Sequence, residues 1–164
     1  MPIVYDKSRK IFHLQAGDTS YIMQIVKEKY LVHLYWGRRI SSYHESRRII
    51  WKDRGFAPNP DTSDRTFSLD TLPQEYPQTG NGDFRNPAYG IRQENGSRIS
   101  NLEYIGYEIS DGKPKLPGLP ASSGSKKDVQ TLKVYMEDAV AGLKYVFYIV
   151  CLPARALLHV ASFS

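Results

Sequence analysis

Six stretches of this chain have the length and composition of β-strands: KIFHLQ, SYIMQIVKE, YLVHLYWG, AYGIRQE, SRISNLEYIGYEI and VQTLKVYM. β-branched and aromatic residues fill them, Gly, Asp, Asn or Pro separates them, and helical spacing of apolar residues is scarce. The connections set the pairing. QAGDTS makes a turn between Leu14 and Tyr21, and EKY joins two strands too tightly for any arrangement but an antiparallel one. In RQENGSRI, Asn95-Gly96 can take the positive φ angles of a type I′ turn, which predicts a hairpin of Ile91 to Glu94 with Ser97 to Ile109. On VQTLKVYM, Leu132, Val134 and Met136 share one face and Thr131, Lys133 and Tyr135 the other, so one side is covered and one is wetter. An all-β, antiparallel sandwich or barrel follows.

With 164 residues the chain is one domain's worth and can bury about two thirds of its unfolded surface. The single cysteine, Cys151, excludes an internal disulfide framework and a multi-cysteine zinc site. It lies in an apolar run and reads as a small buried hydrophobe. The N-terminal MPIVYDKSRKIF has no apolar core of a secretory leader, and the expected compartment is the cytoplasm.

Two segments depart from the strand pattern. Residues 111–128, DGKPKLPGLPASSGSKKD, form a long exposed connection. Residues 51–89 are almost forty residues of weak periodicity that nevertheless contain Trp51, Phe56, Phe67, Tyr76, Phe84 and Tyr89. So many rings must dock on something, inside this chain or outside it.

The common catalytic signatures are absent. GNGDFR lacks the third glycine of a dinucleotide loop, and Pro87 follows where a helix should start. His13, His33, His44 and His159 have no metal-ligand spacing, and His13 and His33 lie on strand patterns as packed or edge residues; no metal and no cofactor is expected. Asp53, Asp61, Asp64, Asp70 and Asp83 read as turn formers in a Pro-rich loop before they read as an acid/base pair.

Residues 1–65 carry 12 Lys/Arg against 7 Asp/Glu, whereas the rest of the chain is balanced at 10 and 10. The cluster GRRISSYHESRR, with Arg38, Arg39, Arg47 and Arg48 around Tyr43 and His44, has no phosphate-tracking stripe to extend it, so nucleic acid is not an expected partner. The apolar run Tyr145 to Phe163 is interrupted by Pro153, Arg155 and His159, which excludes a membrane span.

The segments LYWGRRI, PNPDTSDRTFSLDTLPQEYPQTGNGDFRNPAYGIRQENGSRISNLEYIGYEISDGKPKLPGLPAS and TLKVYMEDAVAGLK resemble the N-terminal domain of bacterial α-galactosidases of glycoside hydrolase family 36. The likeness runs from about Ile3 to Lys144. It implies a β-supersandwich ahead of a (β/α)₈ barrel, with the barrel hydrolysing terminal α-1,6-galactosides such as melibiose and raffinose, with retention, through two aspartates. Asp53 in IWKDRG is not the nucleophile that the resemblance places on the barrel, and these 164 residues alone are expected to be inactive. The resemblance also implies a homotetramer in which a loop of this domain reaches a neighbouring subunit's sugar pocket. Residues 51–89 would supply that loop. Asp53 is then the candidate contact to the galactoside, Trp51 and Phe56 shape the pocket wall, and Arg65 holds the loop through a carboxylate. Tyr76, Phe84, Arg85 and Tyr89 fall to loop docking and to the boundary between sandwich and barrel.

After EDAVAGLK the sequence departs from the family pattern, dividing the chain into residues 1–144, the sandwich domain, and 145–164, a divergent apolar tail. A shift of reading frame near Lys144 accounts for this departure. Tyr145 to Val150 is expected to form a buried strand and the remainder an apolar appendage. A different class of function, a self-standing carbohydrate-binding sandwich using its aromatic loop as a platform, is the alternative.

Overall fold

The computed structural model describes residues 3–44, 52–53, 55, 59–114 and 129–152, and the backbone of 157–163. Strands β1 (Ile3–Asp6), β2 (Ile11–Ala16), β3 (Thr19–Val26) and β4 (Tyr30–Arg38) form one sheet. Strands β5 (Glu103–Asp111), β6 (Gln130–Asp138), β7 (Leu143–Cys151) and β8 (Leu157–Phe163) form the other. Each is an antiparallel meander in chain order.

The sheets pack face to face, as the alternation demands. Phe12, Leu14, Tyr21, Met23, Ile25 and Leu31 from the first meet Leu132, Val134, Met136, Tyr145, Phe147 and Ile149 from the second. Every one is at most 5% exposed, and each large side chain so buried contributes about 1.5–3 kcal/mol. A ring cluster of Tyr5, Phe12 and Tyr107, with centroids 4.5 to 5.1 Å apart, adds contact between the sheets. Along β6, Leu132, Val134 and Met136 face inward while Lys133 and Tyr135 are half-buried on the outside. There Lys133 and Tyr135 both donate to Glu108 Oε2 across the β5–β6 pair.

The turn residues behave as their chemistry requires. Gly17, at φ 57°, opens the two-residue turn between β2 and β3. The β3–β4 turn places Lys27 and Glu28 at φ 52° and 62°, and Lys29 N–H closes it on Val26 O at 3.1 Å. Two non-glycine residues in the left-handed region are costly, and side-chain pairs hold them there: Lys27 with Asp61 and Asp64, Glu28 with Lys10.

Two sequence expectations are corrected. AYGIRQE forms no strand, and the Asn95-Gly96 hairpin is reduced to a single turn. Gly96 N–H bonds Gln93 O and Gln93 N–H bonds Ser97 O, but only Gly96 (φ 83°) is left-handed. Asn95 does not take a positive φ, its Oδ1 instead accepting from Ser97 N–H, so the turn is not type I′ and no ladder extends from it. Beyond Val150, the expected appendage is partly strand: β8 pairs residue by residue with β7, from Cys151↔Leu157 to Tyr145↔Phe163. β7 itself crosses residue 144 without a break in register against β6.

Most of the described part of residues 59–89 closes the open side of the sandwich. A 3₁₀ turn, Leu69–Thr71, sets Phe67, Leu69 and Leu72 against Tyr30 and Val32 on the outer face of β4. Next, His33 N–H bonds Pro73 O at 2.8 Å and Glu75 N–H bonds Leu31 O at 2.9 Å, covering the free edge of β4. Tyr76 then packs on Tyr89, Tyr145 and Phe147, with centroids 4.9 to 6.0 Å away. A tight bend follows in which Gly80 sits at φ 122° and a Cβ would meet Ile99 Cγ2 at 2.6 Å. Gly80→Ala is therefore expected to destabilise the domain by about 2 kcal/mol, read as a lower urea midpoint at unchanged slope.

Candidate functional site

The residues expected to touch sugar lie on the arm before the 3₁₀ turn. Trp51 and Phe56 fall outside the described residues. Asp53 and Arg65 are brought together: Arg65 Nη2 stands 3.7 Å from Asp53 Oδ2, with side chains 80% and 55% exposed respectively. At that distance and exposure the pair is loose, so each group can exchange its partner for a ligand or another protein surface.

What fixes the arm is Lys27, in the β3–β4 turn. Its ammonium lies 3.0 Å from Asp61 and 2.8 Å from Asp64, and 5.5 Å from the centroid of the Phe67 ring. Each aspartate also folds its own loop. Asp61 Oδ1 accepts from Ser63 N and Oγ, and Asp64 Oδ1 from Thr66 N and Oγ1. Ser63 and Lys27 hold the Asp61 carboxyl at about 2, and Lys27 and Thr66 keep Asp64 below the ordinary range. Such permanently ionised groups cannot serve as general acids near neutrality. Between the arm and the turn is a cleft of about 280 Å³, bounded by Lys27, Lys29, Tyr30, Phe67 and Pro60–Thr62. Lys29 bonds Glu103 at 2.9 Å and so ties the same turn to the second sheet.

The other residues of residues 51–89 singled out in the sequence separate by role. Tyr76 and Tyr89 dock inward. The Tyr89 hydroxyl bonds Gln78 and Ser100, and Gln78 in turn accepts from Leu102 N–H. Arg85 clamps the loop, binding the buried Asp83 through two nitrogens and donating to Leu69 O and Leu72 O. Phe84 does not dock on this chain: its ring is 92% exposed. Lys27 carried no signal in the sequence, where it reads as one more turn lysine.

Three other residues singled out in the sequence have partners or surroundings within the chain. His13 is buried and bonds Ser20 Oγ at 2.9 Å, with burial pushing its pKa down. Cys151 is buried, and burial raises its thiol to about 12. Arg39 is occupied by Gly17 O and Gln15 Oε1. Arg47 and Arg48 lie outside the described residues.

Comparison with known proteins gives one consistent result. The model of the glycosyl hydrolase family 36 N-terminal domain matches residues 29–161. The α-galactosidase AgaA of Geobacillus stearothermophilus is 48% identical over 145 residues, covering 88% of this chain and 20% of its own length. The α-galactosidase Mel36A of Lactobacillus acidophilus is 43% identical, covering 87% of this chain and again 20% of its own. The crystal structure of the α-galactosidase AgaB of G. stearothermophilus superposes on the whole chain with a TM-score of 0.90 at 44% identity, over 22% of its length. Variants of AgaA crystallised with raffinose and with stachyose superpose at 0.88. The chain thus spans about a fifth of the length of these relatives.

Proposed function

Because the chain belongs to the glycosyl hydrolase family 36 N-terminal domain family, we propose that it serves as the non-catalytic domain of an α-galactosidase and contributes an arm to the sugar site of a neighbouring subunit. Hydrolysis with retention requires two carboxyl groups about 5 Å apart on a rigid frame. Of the described carboxylates on the arm, Asp61 and Asp64 are consumed by Lys27. The reaction therefore belongs to the barrel, and this domain shapes what the barrel receives. Its substrates are terminal α-galactosides such as melibiose and raffinose, its assembly is a homotetramer, and its compartment is the cytoplasm, where a lone buried thiol is at home.

One observation carries this reading: Asp53 is solvent-facing and steered by Arg65, on an arm whose next turns are pinned to the sandwich through Lys27. A carboxylate so presented is an accessible acceptor for sugar hydroxyls that can leave Arg65 for a ligand, and Trp51 and Phe56 on the same arm would supply the apolar wall such a subsite needs.

The test uses the chain alone and a chimera in which it replaces the matched segment of AgaA. Raffinose added to the chain alone at low millimolar concentration is expected to leave Trp36 and Trp51 fluorescence unchanged. In the chimera, Asp53→Ala is expected to raise KM for raffinose about tenfold, the loss of one charged hydrogen bond, with little change in kcat. Saturable binding by the chain alone would instead identify a self-standing carbohydrate-binding module.

A further inference from the structure

Five asparagines occur in the chain, and two of them precede a glycine: Asn81-Gly82 and Asn95-Gly96. The distinction matters because an asparagine amide is open to attack by the backbone nitrogen of the next residue, and a side chain on that residue obstructs the approach. Asn59 and Asn86 precede prolines, which have no N–H to lose. Asn101 precedes the buried Leu102, whose N–H is held by Gln78 Oε1. The fold then separates the two Asn-Gly sites. Asn81 Nδ2 donates to Asn101 Oδ1 at 3.0 Å and lies 3.5 Å from Ser100 O. Its backbone stands at φ 50° in the bend that sets Gly80 on Ile99, and Asp83 N–H closes that bend on Gly80 O at 3.0 Å. Asn95 is exposed, in a turn from which no ladder extends. Its amide nitrogen has no partner among the described residues, and a Cβ on Gly96 would meet nothing within 4 Å.

One bond of the Asn95 turn favours the chemistry. Ser97 N–H donates to Asn95 Oδ1 at 2.9 Å, and the ring this bond closes contains both the Asn95 Cγ and the Gly96 nitrogen. Negative charge gathers on Oδ1 as Cγ becomes tetrahedral, and a donor already aimed at that oxygen stabilises it as an oxyanion hole does. We propose that Asn95 is a site of self-modification, its side-chain amide being lost through a succinimide formed with Gly96, while the hydrogen bonds of Asn81 preserve that residue. In the first step the Gly96 nitrogen gives its proton to water and bonds Cγ. The Cγ–Nδ2 bond breaks, and the amide nitrogen takes a proton from water and departs as ammonia. Water then adds to either carbonyl of the ring. Cleavage of the new N–Cγ bond yields aspartate, and cleavage of the bond from that nitrogen to the Asn95 main-chain carbonyl carbon yields isoaspartate, in which the backbone runs through Cγ. One water enters and one ammonia leaves, with nothing oxidised or reduced. What opposes the step is the bond from Gly96 N–H to Gln93 O at 2.9 Å, one hydrogen bond in an exposed turn that a small local opening releases. Asn81 must instead give up its amide bonds and leave the bend built on Gly80.

The 164-residue chain tests this directly. Samples are aged folded and in guanidinium chloride, digested, and mapped by mass spectrometry, with oxygen-18 water marking each new carboxyl group. In the folded chain Asn95 is expected to convert about tenfold or more faster than Asn81, to a mixture of isoaspartate and aspartate. In denaturant, where neither turn survives, the two Asn-Gly sites are expected to convert at similar rates. The folded protein also acquires a species one unit less positive than the +5 of the sequence, separable by ion exchange, and Asn95→Gln, which has to close a larger ring, is expected to lose it. A ratio near one in the folded chain, or conversion of Asn81 ahead of Asn95, overturns the proposal. Protection of both sites in the folded chain with conversion of both in denaturant overturns it as well, since the Gln93 bond would then suffice to hold the turn shut.

Discussion

Arg85→Ala is expected to lower the stability of the domain by about 3–5 kcal/mol, the cost of leaving a buried carboxylate without its cation. The Asp83 side chain is wholly buried while Arg85 remains 42% exposed, so the two partners are not equivalent. Burial alone would push the Asp83 carboxyl up, but the side-chain and backbone hydrogen bonds from Arg85 outweigh it and bring the carboxyl below its ordinary value. Without the guanidinium, the donors to Asp83 that remain among the described residues are the Gln74 amide and the residue-85 backbone N–H. The carbonyls of Leu69 and Leu72 each lose one donor at the same time, keeping the backbone N–H groups of Leu72 and Gln74 respectively. Asp83→Asn should cost less, since an exposed arginine can recover water and the amide still accepts. Because the folded Asp83 pKa is depressed, the stabilisation it brings is present above about pH 4 and fades as the pH falls through the folded value. Urea unfolding at pH 7 separates the variants: Arg85→Ala with the midpoint of the parent would mean that the clamp holds nothing. The loss should spread to the Phe84 surface, because the same guanidinium sets the pitch of that loop.

How far the sequence disclosed this arrangement depends on the range of the interaction. Strands β2 to β6 were visible as β-branched and aromatic stretches of strand length and β7 as the apolar run Tyr145 to Val150, and the turns at Gly17 and at Lys27–Lys29 were visible because length alone restricts them. The Asn95-Gly96 hairpin was misread because the dipeptide permits a type I′ turn without requiring one, and the Asn95 side chain, bonding Ser97 N–H, chose another geometry. Aromatic content showed that residues 51–89 must dock, and the docking of Tyr76 and Tyr89 followed. Which residues hold the arm did not follow, since Lys27 meets Asp61 and Asp64 across more than thirty residues, and nothing local marks a lysine as a tether. The pairing of Glu75 with β4 was hidden for the same reason. A glutamate in a Pro-rich connection looks solvated until the fold lays that connection along a sheet edge.

That glutamate gives the second large effect. Its backbone N–H bonds Leu31 O, which draws the side chain into the protein, where it is only 8% exposed. His33 Nδ1 stands 3.3 Å from Oε2, close enough for attraction between charges, yet no donor among the described residues completes a hydrogen bond to that oxygen. Burial therefore raises the Glu75 carboxyl from 4.5 to about 7. Between those two values the folded chain binds more protons than the unfolded chain, so stability falls as pH rises across that window. At pH 8 the whole shift is expressed, about 3 kcal/mol of destabilisation relative to pH 4. Glu75→Gln removes the titration while keeping the shape, and its amide can donate to a neutral His33. The stability difference between variant and parent is accordingly expected to be near zero around pH 4.5 and to grow to about 3 kcal/mol in the variant's favour by pH 8. Taking the difference at each pH cancels the titration of groups common to both proteins whose surroundings the substitution leaves unchanged. A difference that stays constant from pH 4.5 to 8 would show that Glu75 ionises at its ordinary value, with the Pro73–Glu75 segment lifted from β4 far enough to admit water.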